Sequence, residues 1–296
     1  MIENKSSITL FCMTEKGFAV LRHLAATHAG CIDQVIGSRD LNVKNDFYVE
    51  IQELCSDFGI NFVDKSENVK VTSKYSFAIG WRWLINNENS SLVVFHDSLL
   101  PKYRGFAPVV SALLNGDSSI GVTALHASEE YDRGDIIGQD SLCISYPIKI
   151  QAVITALSDL YASLALTLVE KIINDRDIPS IKQDESLATY SLWRDEDDYA
   201  VNWDQDSDYI CRFIDAVSYP YSGASTILNG QLYRILDAEL VDDVVVENRV
   251  PGKVIFKRGC RPVVVCGKGL VQINELISEE TGTDALSNLA FRSRFR

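Results

Sequence analysis

Histidine is scarce in this chain, four among 296 residues, and one of them, His96, closes the apolar run S-L-V-V-F-H at residues 91–96. The polar, proline-broken loop D-S-L-L-P-K-Y-R-G follows at once. A strand that ends in histidine and runs into such a loop delivers an imidazole to a sheet edge, where it can accept or return a proton. The second group with that capacity lies in Y-D-R-G-D-I, where Asp132 and Asp135 surround Gly134. Brought together from neighbouring strand ends, a carboxylate and an imidazole make an acid–base pair, in which the carboxylate orients the ring and favours its protonated form. Taken separately, neither motif carries a function: a strand-end histidine is often only a satisfied polar residue, and Asp-x-Gly-Asp is often only a turn.

The elements that must position these residues follow from the alternation of short apolar runs with helical periods. S-I-T-L-F-C-M reads as a buried strand, E-K-G-F-A-V-L-R-H-L-A-A-T-H as an amphipathic helix and C-I-D-Q-V-I-G-S as a second strand. D-F-Y-V-E-I-Q-E-L-C-S-D-F-G is helix-like, I-N-F-V-D-K strand-like, and Y-S-F-A-I-G-W-R-W-L-I and S-L-V-V-F-H-D-S add two apolar runs. This pattern predicts βαβ units and a mostly parallel sheet. Sites in such sheets lie beyond the carboxyl ends of the strands, where His96 falls. A helix over P-V-V-S-A-L-L-N, strands at S-I-G-V-T-A-L-H-A-S and I-I-G-Q-D-S-L-C-I-S, and a long helix from about Gln151 to Asn174 complete this part. That helix is apolar, but Ser158 and Asp159 interrupt it, so it reads as buried and not as a membrane span.

Past residue 180 the chain turns acidic and weakly periodic, as in a linker or a surface-wrapping segment. Beyond it Y-I-C-R-F-I-D-A-V-S is a short helix, and Asn229-Gly230 between two alternating runs signals a β-hairpin with a type I′ turn. P-G-K-V-I-F-K-R-G and P-V-V-V-C-G-K-G-L-V-Q-I-N-E-L add glycine-punctuated strands. The expected division is a catalytic α/β domain over 1–200, including a linker from about 183, and a β-rich domain over 201–296.

Composition narrows the class further. The formal net charge is -13, with no basic stretch apart from the arginines of F-R-S-R-F-R at the end of the sequence. A chain that neutralises several phosphates of a nucleic acid needs a positive face, so no nucleic-acid partner is expected. Seven scattered cysteines without a C-x-x-C pair suit reduced thiols in a cytoplasm, and neither a disulfide framework nor a zinc site. His23 and His28 have no Cys or acidic cluster near them in sequence, and no metal is expected. The first residues do not read as a signal peptide, and no membrane partner is expected. G-x-G-x-x-G, G-x-x-x-x-G-K-[ST] and G-x-S-x-G are all missing.

The three segments H-x-S-L-L-P-x-Y-R-G-x-x-P, G-D-x-x-I-G-V-T and Y-D-x-G-D-I together resemble the formyltransferases that use N10-formyltetrahydrofolate, over about residues 75–140. That family includes methionyl-tRNA formyltransferase, glycinamide ribonucleotide transformylase and the sugar-nucleotide N-formyltransferases. The resemblance continues more loosely through A-T-Y, V-N-W and Y-P-Y-S-G-A-S-T-I-L-N-G. It implies an α/β, Rossmann-like, mostly parallel formyltransferase domain with a smaller C-terminal β-rich, OB-like domain. It implies His96 and Asp132 as catalytic residues. It also implies folate contacts from Gly80, Trp81 and Arg82, from Ser98, Leu99, Leu100 and Pro101, and from Ser128 onward, with the leucine side chains mostly structural. Lys102, Tyr103, Arg104 and Tyr221 become candidate contacts to the acceptor.

One position departs from the family's pattern. The Asn of N-x-H, which donates a hydrogen bond to the oxyanion, is replaced by Val94, which cannot donate. Losing one such donor costs about a hundred- to a thousand-fold in rate. Backbone N–H groups near Ser98, or protonated His96, are the substitutes the sequence offers. Three readings follow: formylation of an amino sugar on a nucleotide, formylation of methionyl-tRNA, and a non-catalytic folate-binding relative. The acidic balance and the loop sequences favour the first, a small-molecule nucleotide-sugar acceptor. A homodimer is the assembly carried over from the sugar-acting members.

Overall fold

The structure, a computed structural model, describes residues 7–67, 70–85 and 90–296. In chain order its elements are β1 (Ile8–Cys12), α1 (Thr14–His28), β2 (Ile32–Gly37), α2 (Tyr48–Asp57), β3 (Asn61–Asp64), β4 (Tyr75–Ile79), β5 (Ser91–His96) and β6 (Arg104–Gly105). There follow α3 (Pro108–Asn115), β7 (Ser119–His126), β8 (Ile136–Cys143), α4 (Ile150–Ile173), β9 (Tyr190–Ser191) and α5 (Ser207–Ala216). The chain ends with β10 (Ala224–Leu228), β11 (Gln231–Val241), β12 (Val254–Arg258), β13 (Arg261–Val265) and β14 (Leu270–Ser278).

Two compact units emerge. The first comprises Met1–Pro108, Ser118–Cys143 and Val153–Leu192; the second comprises Val109–Asp117, Ile144–Ala152 and Trp193–Arg296. The large sheet of the first unit has the order β3-β2-β1-β4-β5-β7-β8. From β3 to β5 every pairing is parallel, and β7 runs antiparallel to both β5 and β8. The order reverses between β1 and β4, the switch point at which open α/β sheets open a crevice.

The central strands are apolar on both faces because helices cover both, as a parallel sheet requires. β1, I-T-L-F-C, is buried at all five positions. α1 turns Gly17, Val20, Leu21, Leu24 and Ala25 into the core at helical spacing, with Glu15 in its first turn and His28 in its last, the charge order that suits the helix dipole. α4 is long and apolar enough to cross a membrane by composition, yet Tyr161, Ala165, Leu168, Val169 and Ile172 belong to the same buried cluster as Phe77, Phe95 and Val122 of the sheet. Each large apolar side chain buried this way contributes about 1.5–3 kcal/mol. α4 is therefore a core helix.

The second unit is built on a five-stranded antiparallel sheet, order β10-β11-β14-β13-β12. β10 and β11 form the expected hairpin, with Leu228 opposite Gln231 and both Asn229 and Gly230 at positive φ, as a type I′ turn demands. α5 buries Ile210, Phe213 and Ile214.

Candidate active site

β5 alternates as expected of a strand between two layers. Val93 and Phe95 face one side, and Leu92, Val94 and His96 the other. His96 is its last residue, paired in register with Thr123 of β7, and is 8% exposed. Asp132 lies in the loop between β7 and β8, at φ +58°. Its Oδ1 is 3.5 Å from His96 Nδ1, an ion-pair separation longer than a hydrogen bond, and its Oδ2 accepts a 2.8 Å hydrogen bond from the Gly105 N–H. The other ring nitrogen, His96 Nε2, lies 2.8 Å from the Tyr103 carbonyl oxygen. A carbonyl only accepts, so Nε2 carries a proton, and in the neutral ring the lone pair belongs to Nδ1, facing Asp132.

The tripeptide Tyr103-Arg104-Gly105 thus holds both halves of the pair through its backbone. Its own position is fixed in turn by the segment read from sequence as linker or wrapping. Tyr103 N–H donates to Thr189 Oγ1, Arg104 N–H to the Thr189 carbonyl and Phe106 N–H to the Ser191 carbonyl, which makes the small β6–β9 pairing. The Arg104 side chain, 1% exposed, donates from Nε and Nη2 to Gln183 Oε1 and from both Nη atoms to the Glu185 carboxylate. Gln183 Nε2 then donates to the carbonyls of Asp132 (2.7 Å) and Gly134 (2.8 Å). One amide therefore couples the loop of Arg104 to the loop of Asp132. Gly134 is obligatory there, since a Cβ would lie 1.7 Å from the His126 carbonyl oxygen. Asp135 closes the same loop by accepting the His126 N–H at 3.0 Å.

The Ser98–Pro101 loop is bolted beneath. Thr123 Oγ1 donates to the Ser98 carbonyl (2.6 Å) and accepts from Leu100 N–H (3.1 Å) and Gln139 Nε2 (2.8 Å). Ser98 Oγ donates to the Lys102 carbonyl, Leu100 is 3% exposed, and the Leu99 side chain covers Gly121. Thr123→Val keeps the shape and removes all three bonds, so unfolding should cost about 1–3 kcal/mol less than in wild type. Thermal denaturation of Thr123→Val beside Thr123→Ser, which keeps the hydroxyl, checks this: a Val variant as stable as the Ser variant would count against it.

At the switch point, Gly80 follows β4 at φ +62°, and a Cβ there would meet the Met13 carbonyl oxygen at 2.8 Å. Trp81 packs edge-on against Phe11 and Trp83, and its Nε1 is buried without a hydrogen-bond partner, as is Thr14 Oγ1. Arg82 forms an ion pair with the buried Asp40.

Behind β5, on the face opposite His96, Asp97 accepts hydrogen bonds from Lys16 Nζ and Tyr161 Oη. Burial pushes the Asp97 carboxyl up, but the Lys16 charge and the two hydrogen bonds outweigh it and hold the group below its ordinary range. Burial, reinforced by Asp97, pushes the Tyr161 phenol well above its ordinary value.

Several sequence expectations meet this geometry differently. His96 and Asp132 are brought together, with the Ser98–Pro101 loop adjoining them. Arg104, expected to meet the acceptor, spends its guanidinium on Gln183 and Glu185, because the buried charge needs partners inside the fold. Ser128 donates to the Glu130 carbonyl at 2.6 Å and caps its own turn. Lys102 is exposed, Tyr103 serves through its backbone, and Tyr221 lies in the second unit, its N–H on the Ser218 carbonyl at 3.0 Å. Sequence reasoning missed Gln183, Glu185, Thr123, Gln139, Lys16 and Tyr161. Only Thr123 lay within a motif already singled out.

The fold and site define an α/β protein with a histidine–carboxylate pair beyond its strand ends, joined in the chain to an antiparallel β unit. The formyl transferase profile matches residues 60–162, and the profile for the formyl transferase C-terminal domain matches residues 194–289. Together these place the chain in the formyl transferase family. Methionyl-tRNA formyltransferase of Syntrophomonas wolfei is 34% identical over 145 residues, 49% of this chain and 46% of the relative. The chain thus spans about half the length of the curated relatives it matches. Among solved structures, the sugar 3N-formyl transferase WlaRD, described with dTDP and 5-N-formyl-THF, superposes with a TM-score of 0.69 at 20% identity, over 91% of this chain and 97% of that one. The N-formyltransferase of Helicobacter canadensis, in complex with folinic acid and dTDP-3-aminofucose, gives 0.70 at 18% identity, over 90% and 98%. At these identities the likeness shows the fold.

Proposed function

We propose that the protein transfers a formyl group from N10-formyltetrahydrofolate to the amine of a nucleotide-linked amino sugar in the cytoplasm. The observation that carries the transfer is the His96–Asp132 pair on the Tyr103–Gly105 backbone. With Nε2 committed to the Tyr103 carbonyl, Nδ1 is the nitrogen that would take a proton from the acceptor amine as it bonds the formyl carbon, and return it to the donor's N10 as the carbon–N10 bond breaks. Asp132 then faces the new N–H and balances its charge. Because both groups are anchored to one tripeptide, little reorganisation accompanies the proton's movement.

The formyl donor, when bound, supplies the electrophilic carbon. The residues present fit such a group. Two buried polar atoms, Trp81 Nε1 and Thr14 Oγ1, lack partners at the switch point, where a polar heterocycle would satisfy them. Gly80 lets the chain pass close to the Met13 carbonyl and Thr14 Oγ1 and so brings these groups to one place. Gly80, Trp81 and the Ser98–Pro101 backbone are the residues that would hold the donor.

The acceptor reading draws support from the net charge of -13 and from the near end-to-end likeness to two sugar-acting folds. The 34% identity to a methionyl-tRNA formyltransferase favours the alternative acceptor. Formyl transfer from N10-formyltetrahydrofolate to a panel of nucleotide-linked amino sugars, with initiator methionyl-tRNA in parallel, separates the two. Turnover of the tRNA alone would overturn the sugar reading.

Val94 sits on the same face of β5 as His96, opposite Leu125 of β7 and beside Ala78 of β4. In an active enzyme the oxyanion then relies on donors other than a side chain at this position. Val94→Asn is expected to raise kcat by about tenfold or more, whereas Val94→Ala is not. Equal losses in both, at an unchanged melting temperature, would show instead that the valine is shaped to the substrate.

A further inference from the structure

We propose that Phe106 and Tyr131 form an aromatic platform that stacks against the ring bearing the reacting amine, and so select the acceptor; this rests on the amino-sugar reading above. Both side chains stand in water to an extent that folding does not explain, Phe106 50% and Tyr131 62% exposed, yet their rings meet with centroids 6.2 Å apart. They belong to different loops, and each adjoins the contact that fixes Asp132. Phe106 follows Gly105, whose N–H binds Asp132 Oδ2, and Tyr131 precedes Asp132 itself.

Geometry then names the occupant. The amine must reach His96 Nδ1 beside Asp132, and a C–N bond of about 1.5 Å ties that amine to its ring. The ring therefore lies over the residues flanking Asp132. The hydrogen-bearing face of a pyranose is apolar and flat enough to rest on aromatic faces, while its hydroxyls stay wet. Tyr190, 59% exposed, is hydrogen-bonded through its hydroxyl to Arg133 Nη2 at 3.0 Å, and Arg133 is in turn ion-paired to Glu130 at 2.7 Å, which adds polar groups next in sequence to Asp132. An exposed aromatic pair suits the flat apolar face of a sugar ring better than it suits the flexible side chain of a methionyl group, whose amine sits on an open chain.

The test measures binding and steady-state kinetics with a dTDP-linked amino sugar. Phe106→Ala and Tyr131→Ala should each raise acceptor Kd and KM about fivefold, with the donor KM within about twofold of wild type. Phe106→Trp and Tyr131→Phe, which keep the ring, should bind as wild type does. Because both residues are exposed, melting temperatures should not move. Alanine variants that bind the sugar nucleotide as tightly as wild type would overturn the platform. So would variants whose only change is dissociation of a dimer in sedimentation, since the pair would then be a subunit contact. If wild type itself neither binds nor formylates any nucleotide-linked amino sugar, the acceptor reading falls and takes the platform with it. That outcome is seen without any variant and so is distinct from failure of the platform alone.

Discussion

His96→Asn should retain less than about one hundredth of wild-type kcat, the loss expected when a general base is removed. Asparagine is smaller than histidine, and its amide falls at the place of Nδ1, short of the Nε2 that now donates to the Tyr103 carbonyl at 2.8 Å; the loop should keep its place through its bonds to Thr189 and Ser191. It cannot take a proton from an amine at neutral pH. Circular dichroism and melting temperature should match wild type, which separates lost chemistry from lost structure. A variant that keeps a tenth or more of wild-type turnover would remove His96 from the mechanism, whatever its position.

The largest effect on stability is expected at Lys16. Lys16 and Asp97 side chains are only 13% and 18% exposed, and Tyr161 is the other group bonded to the Asp97 carboxylate. Lys16→Met preserves much of the packing but strands that charge, at a cost of about 3–5 kcal/mol. For a unit of this size the melting temperature should fall by about 10 °C. The pH dependence supplies a signature. The Asp97 carboxyl is depressed in the fold, so its contribution is present above the unfolded value of about 3.9 and is lost as pH falls through the folded value. The Tyr161 phenol is raised, so its contribution is present below about 10 and is lost as pH climbs through the folded value. Wild type should therefore weaken at both extremes. The gap between Lys16→Met and wild type should be widest near neutrality and should close in acid, once Asp97 is protonated in both. A gap that does not narrow at all as pH falls from 7 through the range in which Asp97 is protonated would mean that Lys16 stabilises by packing alone.

What the sequence disclosed follows the range of the interactions involved. β1 was legible because burial on both faces leaves a continuous apolar run, β5 because L-V-V-F is apolar throughout although Leu92 and Val94 are only half-buried, and the β10–β11 hairpin because Asn229-Gly230 satisfies a local backbone demand. The strand-end position of His96 followed from the same run. The direction of β7 was not legible, since S-I-G-V-T-A-L-H is equally apolar whichever way it runs. Nor was the network around the site. Lys16 meets Asp97 across 81 residues of chain, and Arg104 meets Gln183 across 79, distances over which no periodicity carries information. The acidic texture past residue 180 suggested a linker or a surface-wrapping segment, with no partner named for its charges. The charges of Glu185 and the amide of Gln183 instead answer a buried guanidinium and two loop carbonyls.

The Arg104 clamp has a consequence for how such chains are compared. Tyr103-Arg104-Gly105 serves the pair through main-chain atoms and turns its one cationic side chain inward. Two proteins that share Y-R-G would then share a chassis and could formylate unrelated amines. The three letters carry almost no information about diet. The residue immediately after them, Phe106 in this chain, faces outward and is free to drift without disturbing the machinery. Where enzymes of this build part company over substrate, that neighbouring position is where the divergence should be written.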